Sequence, residues 1–173
     1  MNYFELFEMP VSFKINKQLL PLKYFELQKK YHPDFYTMAS DEEQSEVLEL
    51  SSMVNKAFKT FSDEDETIRY VLQLKSILKE NDKYDLPPDF LMEMMDLNEA
   101  LLHEDTESLT STEKAVKNVE EQIYAPVKTI IDNPNGTEVT DGDLNIIKDY
   151  YFKKKYLRRI LDRIEDMRNI APR

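Results

Sequence analysis

The chain has 173 residues and a formal net charge of −11, and 41% of its residues are hydrophobic, enough for one sizeable domain or two small ones. Its acidity argues against nonspecific nucleic-acid binding, because neutralising phosphates requires a basic surface. The absence of cysteine excludes disulfides and thiolate metal sites, and no apolar run is long enough to span a bilayer. Two glycines against ten tyrosines and nine phenylalanines predict an all-α fold.

The first strong element is an amphipathic helix predicted over residues 17–31, with Asn16 as its N-cap. Its apolar stripe consists of residues at helical spacing, Leu20, Tyr24, Leu27 and Tyr31. Pro33 forbids continuation of this helix, because proline lacks an amide donor and clashes with the preceding turn. The sequence therefore predicts that His32, Pro33 and Asp34 lie on a short exposed connection, where functional residues are common.

Charge is distributed unevenly on the two sides of this connection. Residues 14–31 contain five lysines and one acid, whereas residues 34–49 contain six acids and no base. The basic helix therefore either attracts the acidic helix within the fold or meets an acidic partner.

The N-terminal half is predicted to contain two further helices. One runs over residues 41–61 and is capped by Ser40, with Glu43 completing a capping box, and Ser62 caps the next.

Residues 79–87 are predicted to be a linker between two domains. The segment is charged, lacks helical periodicity and ends in Pro87, which is followed directly by Pro88. We therefore predict an N-terminal domain over 1–78 and a C-terminal domain over 88–173.

The C-terminal domain is predicted to be a three-helix bundle with helices over 88–103, 107–131 and 141–168. Pro126 is expected to kink the middle helix or end it early. A turn is expected at Asp132-Asn133-Pro134-Asn135-Gly136.

The first helix of this bundle has more apolar residues than a bundle core requires. The core face is predicted to contain Phe90, Met94, Leu97 and Leu101. Leu91, Met92 and Met95 widen the apolar band, and its border is acidic, with Asp96, Glu99 and Glu104. This strip is either a protein-binding patch or fully buried in the bundle.

Catalytic and metal-binding readings have little support in the residues. His32 and Asp34 would need a nucleophile and an oxyanion pocket to form a hydrolase site, and no motif supplies them. The two histidines, His32 and His103, are far apart in the sequence and have no metal-ligand spacing. A basic run on the last helix, Lys153-Lys154-Lys155 with Arg158 and Arg159, is compatible with phosphate binding. Because the whole chain is acidic, we interpret this run as a solvated helix face. We expect neither an enzyme nor a bound cofactor or metal.

Three segments together resemble a J domain of the HscB type, the co-chaperones of iron–sulfur cluster assembly. They are residues 3–7, the basic helix ending in Tyr31-His32-Pro33-Asp34, and Asn55-Lys56-Ala57-Phe58. The helix beginning at Phe90 is similar to the scaffold-binding helix that separates this family from other J proteins.

The resemblance implies an adaptor with two partners. The first is the ATPase domain of a DnaK/HscA-class chaperone, whose hydrolysis would be triggered by His32, Pro33 and Asp34, with Lys23, Lys29 and Lys30 steering docking. The second is the cluster scaffold IscU, which would bind Leu91, Met92, Met95, Asp96, Glu99 and Phe152. The alternative is a J protein whose bundle delivers a different client.

Three positions depart from the family's pattern. Phe35 stands where many J domains have a basic residue, Thr67 follows a segment that lacks the usual Asp-Pro, and His103 replaces an acid. The N-terminal residues lack the layout of a signal peptide, and the chain lacks the cysteine-rich extension of some eukaryotic relatives. We therefore expect a cytoplasmic protein of bacterial type, without membrane or nucleic-acid partners.

Overall fold

The computed structural model describes residues 1–103, 105–133 and 139–170, and these residues form helices without any β-strand. The α-helices are α1 (Tyr3–Leu6), α2 (Leu19–Lys30), α3 (Asp41–Ser62), α4 (Glu64–Leu74), α5 (Pro88–Ala100), α6 (Thr106–Tyr124), α7 (Lys128–Ile131) and α8 (Asp141–Ile170). Short 3-10 helices cover Pro33–Tyr36 and Leu101–His103. The all-α prediction is confirmed, while the predicted turn at residues 134–136 lies outside the described residues.

The chain divides into two compact units. The first comprises Met1–Lys75 together with the described residues of the segment Ile131–Val139. The second comprises Ser76–Ile130 and the described residues from Thr140 onward. No helix joins Leu74 to Pro88, but the boundaries proposed from the sequence, 1–78, 79–87 and 88–173, remain predictions.

The first unit is a hairpin of α2 and α3, against which α1 and α4 pack. Its core is rich in aromatic rings: the Phe4 and Phe61 centroids lie 4.7 Å apart, and Tyr3 stacks on Tyr70 at 4.4 Å. The Tyr70 hydroxyl also accepts a 2.9 Å hydrogen bond from the Tyr3 backbone amide. These contacts hold the chain terminus against α4 by edge and stacking interactions that add to burial.

The predicted starts of α2 and α3 have different outcomes. The prediction that Asn16 is the N-cap is wrong, because α2 begins at Leu19 and its N-cap position is Gln18, whose side chain makes no capping hydrogen bond. Asn16 Oδ1 instead accepts hydrogen bonds from the amides of Gln18 and Leu19 in the turn that leads into α2. Ser40 Oγ accepts from the Glu43 amide and caps α3, as predicted. The reciprocal hydrogen bond of a capping box, from the Ser40 amide to the Glu43 carboxylate, is not formed within the described structure.

The predicted cap of the next helix is wrong. Ser62 is the last residue of α3, and its hydroxyl donates to the Phe58 carbonyl. Asp63 caps α4 instead, with Oδ1 accepting from the amides of Asp65 and Glu66. The backbone leaves helical dihedrals only at Asp63 (φ −111°, ψ 126°), so only Asp63 has the extended conformation of an N-cap.

Thr67 has a structural role that the sequence did not reveal. It is buried, and its hydroxyl proton is shared between the Thr60 carbonyl at 3.1 Å and the Asp63 carbonyl at 2.8 Å. The end of α3 is thus joined to the first turn of α4 by hydrogen bonds.

The second unit is a three-helix bundle of α5, α6 and α8. Its core consists of Phe90, Met94, Leu101, Leu109, Val116, Val119, Leu157, Ile160 and Ile164. Pro88 is the first residue of α5, a position that requires no amide donor. α6 ends at Tyr124, two residues before Pro126, which confirms the early end expected there.

Candidate functional site

His32, Pro33 and Asp34 form an exposed corner at the end of α2. The Tyr31 amide donates to the Leu27 carbonyl and closes the helix, and His32 is extended (φ −75°, ψ 124°), as a residue before proline prefers. Pro33 then begins the 3-10 helix Pro33–Tyr36. The side chains of His32 and Asp34 are 47% and 83% exposed, so both are accessible to a partner.

Short-range hydrogen bonds hold the shape of this corner. His32 Nδ1 accepts a 3.3 Å hydrogen bond from the Asp34 backbone amide. The Asp34 carboxylate lies 3.7 Å from the same nitrogen. The Tyr36 hydroxyl donates to the Lys30 carbonyl at 2.8 Å and connects the 3-10 helix to the last turn of α2.

Phe35 adds an apolar ring beside the imidazole. Its centroid lies 5.8 Å from that of His32 in an edge-to-face arrangement, and the side chain is largely exposed. The departure at this position therefore replaces a charge with an accessible aromatic surface.

The lysines of α2 have different surroundings. Lys23 pairs with Glu8 at 3.4 Å, and Lys29 Nζ lies 5.5 Å from the centroid of Phe25. Lys30 Nζ lies over the Tyr31 ring, 5.1 Å from its centroid, and interaction with the Tyr31 side chain raises the pKa of Lys30 above its ordinary value.

Phe25 was not singled out from the sequence. It is 63% exposed and lies one turn before Lys29 on the accessible face of α2. Phe25 could have been recognised in the sequence as a large apolar residue that lies outside the apolar stripe of its helix.

The Asn55-Lys56-Ala57-Phe58 segment joins α3 to α2. Asn55 Oδ1 accepts hydrogen bonds from the Tyr24 hydroxyl at 2.9 Å and from Gln28 at 2.8 Å. Phe58 stacks on Tyr24 with centroids 4.1 Å apart, and Ala57 is fully buried. The segment thus fixes α2 on α3 immediately before the corner.

The apolar strip of α5 is on the surface of the bundle. Leu91, Met92 and Met95 are 36%, 65% and 67% exposed, whereas Phe90 and Met94 on the neighbouring face are buried. The alternative that the bundle buries the whole strip is therefore wrong. Its acidic border, Asp96 and Glu99, is also exposed, and Glu104 lies outside the described residues.

Phe152 on α8 is half-buried because it is covered by an aromatic ring from the predicted linker. Tyr84 stacks on it with centroids 4.8 Å apart and ring planes within 7° of parallel. The Tyr84 hydroxyl donates to Asp149 Oδ1 at 2.8 Å, and Asp149 also pairs with Lys153. Phe152 and Leu91 line the same groove. Tyr84 was missed because its segment has no helical periodicity.

The structure also bears on metal binding, membrane spanning and the position of His103. Among the described residues, no three histidine, cysteine, aspartate or glutamate side chains are grouped so that they could hold a metal ion. In the same part of the chain, no helix combines the length and apolar character needed to cross a bilayer. His103 ends the 3-10 helix Leu101–His103 and is exposed.

Similarity to known proteins extends over nearly the whole chain. A family model described as the HSCB C-terminal oligomerisation domain matches residues 86–165. A co-chaperone protein HscB homolog of Shewanella amazonensis is 31% identical over 96% of this chain and 98% of its own length. The chain belongs to the HscB family of co-chaperones.

Solved HscB structures agree with the fold described above. Human co-chaperone HscB has a TM-score of 0.79 at 27% identity and covers 98% of this chain and 83% of its own. The HscB chaperone of Vibrio cholerae has a TM-score of 0.75 at 24% identity, with 98% of both chains covered. The human relative described as an iron-sulfur cluster co-chaperone is 30% identical over 95% of this chain and 67% of its own length. The HscB assignment confirms the predicted family, while the roles of individual residues remain predictions.

Proposed function

We propose that this chain stimulates the ATPase of a DnaK/HscA-class chaperone and delivers an IscU-type iron–sulfur scaffold to it. The observation that carries the proposal is the accessibility of His32 and Asp34 on a corner with fixed geometry. Both partners are those implied by membership of the HscB family.

The chaperone-binding surface comprises the corner and the exposed face of α2. Asp34 is accessible to an arginine of the partner, which would form a charge-assisted hydrogen bond. Pro33 restricts the backbone before binding, so less conformational entropy is lost on docking. Lys29 and Lys30 supply positive charge that steers the protein toward an acidic face of the chaperone. Phe25, which is exposed and lies on α2 before these lysines, supplies an apolar contact to the chaperone. Lys23 has a weaker role, because it already pairs with Glu8.

Stimulation does not require catalytic groups on this chain. If the corner binds the hydrolysis-competent state of the chaperone more tightly than other states, it shifts the population toward that state. The groups that hydrolyse ATP would then be those of the chaperone.

The scaffold-binding surface comprises the exposed α5 strip with Phe152. Leu91, Met92 and Met95 offer flexible apolar contact, and Asp96 and Glu99 offer charge at the border. One chain that binds both partners raises the effective concentration of the scaffold near the chaperone. This role, together with the bacterial relatives, supports action in the bacterial cytoplasm.

The test is the steady-state ATPase rate of the cognate chaperone with this protein, with the scaffold and with both. We expect stimulation by the protein alone and a further increase with both. A rate unaffected by the protein would contradict the proposal. If the immobilised full-length protein retains another protein but not the scaffold, its client is a different protein.

A further inference from the structure

A groove of about 480 Å³ lies beside the α5 strip in the second unit. Its apolar lining is formed by Leu86, Leu91, Phe152 and Tyr156, and the Tyr84 ring contributes to it. Leu91 and Phe152 are members of the proposed scaffold-binding surface, so the groove is continuous with that surface.

Two of the acidic groups near this groove, Asp82 and Asp149, are already engaged. Asp82 accepts a 2.9 Å bond from Lys148, whose Nζ also donates to the Ile77 carbonyl. Asp149 accepts from Tyr84 and pairs with Lys153 at 2.7 Å.

Basic groups at the groove remain available. Lys155 and Arg159 line it from α8, and neither forms an ion pair within the described part of the chain. Lys155 lies 6.0 Å from the Tyr151 ring. The two cations are four residues apart and so share one helix face, where like charges disfavour the helix rather than stabilise it. Asp85 is the remaining carboxylate of the lining, so the groove is locally cationic on a chain of net charge −11.

We propose that this groove is a second part of the scaffold-binding surface and takes a segment of the scaffold in which a carboxylate accompanies an apolar side chain. The proposal rests on the proposed function, in which this unit binds the scaffold. The apolar side chain packs against Leu86 and Phe152, and the carboxylate is held by Arg159 and Lys155. Arginine suits this role because its planar fork binds a carboxylate through two parallel hydrogen bonds.

The arrangement also fixes the polarity of the partner. The groove carries cations on α8, while the strip on α5 carries the exposed carboxylates Asp96 and Glu99. A matching scaffold surface presents an acidic group to the groove and a basic group to Asp96 and Glu99. Such complementary charges set the register of a complex and exclude the reversed orientation.

Tyr84 acts as a positioning residue in this surface. Its hydrogen bond to Asp149 and its stacking on Phe152 hold the Phe152 ring in place before the scaffold binds. Because the Phe152 side chain is already held in one conformation, less conformational entropy is lost when the scaffold binds.

The test uses the full chain and calorimetric titration with purified scaffold at 50, 150 and 300 mM salt. We expect Lys155→Gln with Arg159→Gln to weaken binding about tenfold at the lowest salt, with a shallower dependence of Kd on salt. The charge-retaining pair Lys155→Arg with Arg159→Lys should stay close to the wild type in salt dependence. Lys114→Gln is the matched control, because it removes an exposed cation of α6 that has no ion pair within the described residues.

The outcomes separate this proposal from the one on which it rests. If wild-type protein does not bind the scaffold, both are overturned. If wild-type protein binds and Leu91→Ala weakens binding, but the double variant matches the wild type at every salt concentration, only the groove proposal is overturned. A third outcome is that sedimentation shows loss of self-association in the double variant while its affinity for the scaffold is unchanged. The groove would then bind a second copy of the chain, and the groove proposal would be overturned.

Discussion

The Tyr24 ring of α2 stacks on the Phe58 ring of α3, with centroids 4.1 Å apart and ring planes 27° apart. The same tyrosine donates its hydroxyl proton to Asn55, one turn earlier on α3. Together these contacts fix the rotation of α2 about its axis. The direction in which His32 and Asp34 leave the end of α2 is therefore set by side chains that lie within the hairpin.

We expect Asn55→Ala to lower the free energy of unfolding by about 1–2 kcal/mol, because two donors lose their acceptor. Urea unfolding measures this change. Asn118→Ala on α6 is the control, since it gives the same gain in helix propensity at an exposed position without a hydrogen bond in the described structure. Equal stability of the two variants would mean that the Asn55 hydrogen bonds contribute nothing net.

We expect His32→Gln to abolish stimulation of the chaperone ATPase, because the corner would lose its imidazole. The fold should be retained, with a change in unfolding free energy within about 0.5 kcal/mol, as is usual for exposed sites. Steady-state ATPase assays, circular dichroism and thermal melting measure these effects. His103→Gln is the matched control at the other exposed histidine and should stimulate normally. Full stimulation by His32→Gln would remove the corner from the mechanism.

Replacing Leu91, Met92 and Phe152 together with alanine should weaken scaffold binding by about 3 kcal/mol or more, over 100-fold in Kd. The physical reason is the loss of apolar contact at the centre of the proposed surface. Calorimetry with purified scaffold gives the affinity, and a melting curve checks the bundle, because Phe152 also stacks on Tyr84.

The matched control for that variant is Leu102→Ala with Ile146→Ala. Both residues are exposed apolar side chains of the same unit, but neither belongs to the proposed surface. Binding should be unaffected in the control. An equal loss in the two variants would show that general surface hydrophobicity, rather than the strip, governs binding.

Tyr84 should titrate far above an ordinary tyrosine. Burial, followed by the hydrogen bond to Asp149, raises the pKa of Tyr84 to about 12 from an ordinary value of about 10. Because the folded pKa is the higher one, the unfolded chain loses this proton first as pH rises. The stabilisation from the neutral phenol is therefore complete below pH 10 and is lost between about pH 10 and 12.

The measurement is an absorbance titration at 295 nm, taken as the difference between wild type and Tyr84→Phe. We expect a single phenol with a midpoint near 12. In Asp149→Asn, the pKa of Tyr84 should fall but stay above 10, because burial is the larger cause. A midpoint at about 10 in the folded wild type would contradict the stacked and hydrogen-bonded position of Tyr84.

Helical periodicity predicted the principal helices of this chain because each has an apolar face of its own. Ser40, Pro88 and Pro126 act on adjacent backbone, so their effects on α3, α5 and α6 were also predictable. Ser62 was assigned wrongly because Ser62 and Asp63 are both suitable caps in sequence. Only the backbone dihedrals distinguish them.

The sequence by itself determined the helices, the exposed corner and the family resemblance, since these depend on neighbouring residues and short motifs. Only the tertiary structure decided that Leu91, Met92 and Met95 are exposed, because burial depends on which helix faces the bundle fills. It also brought Tyr84 onto Phe152 and placed Lys155 and Arg159 beside Leu91. These residues are distant along the chain, and no local pattern encodes a contact that forms only when separate segments pack together.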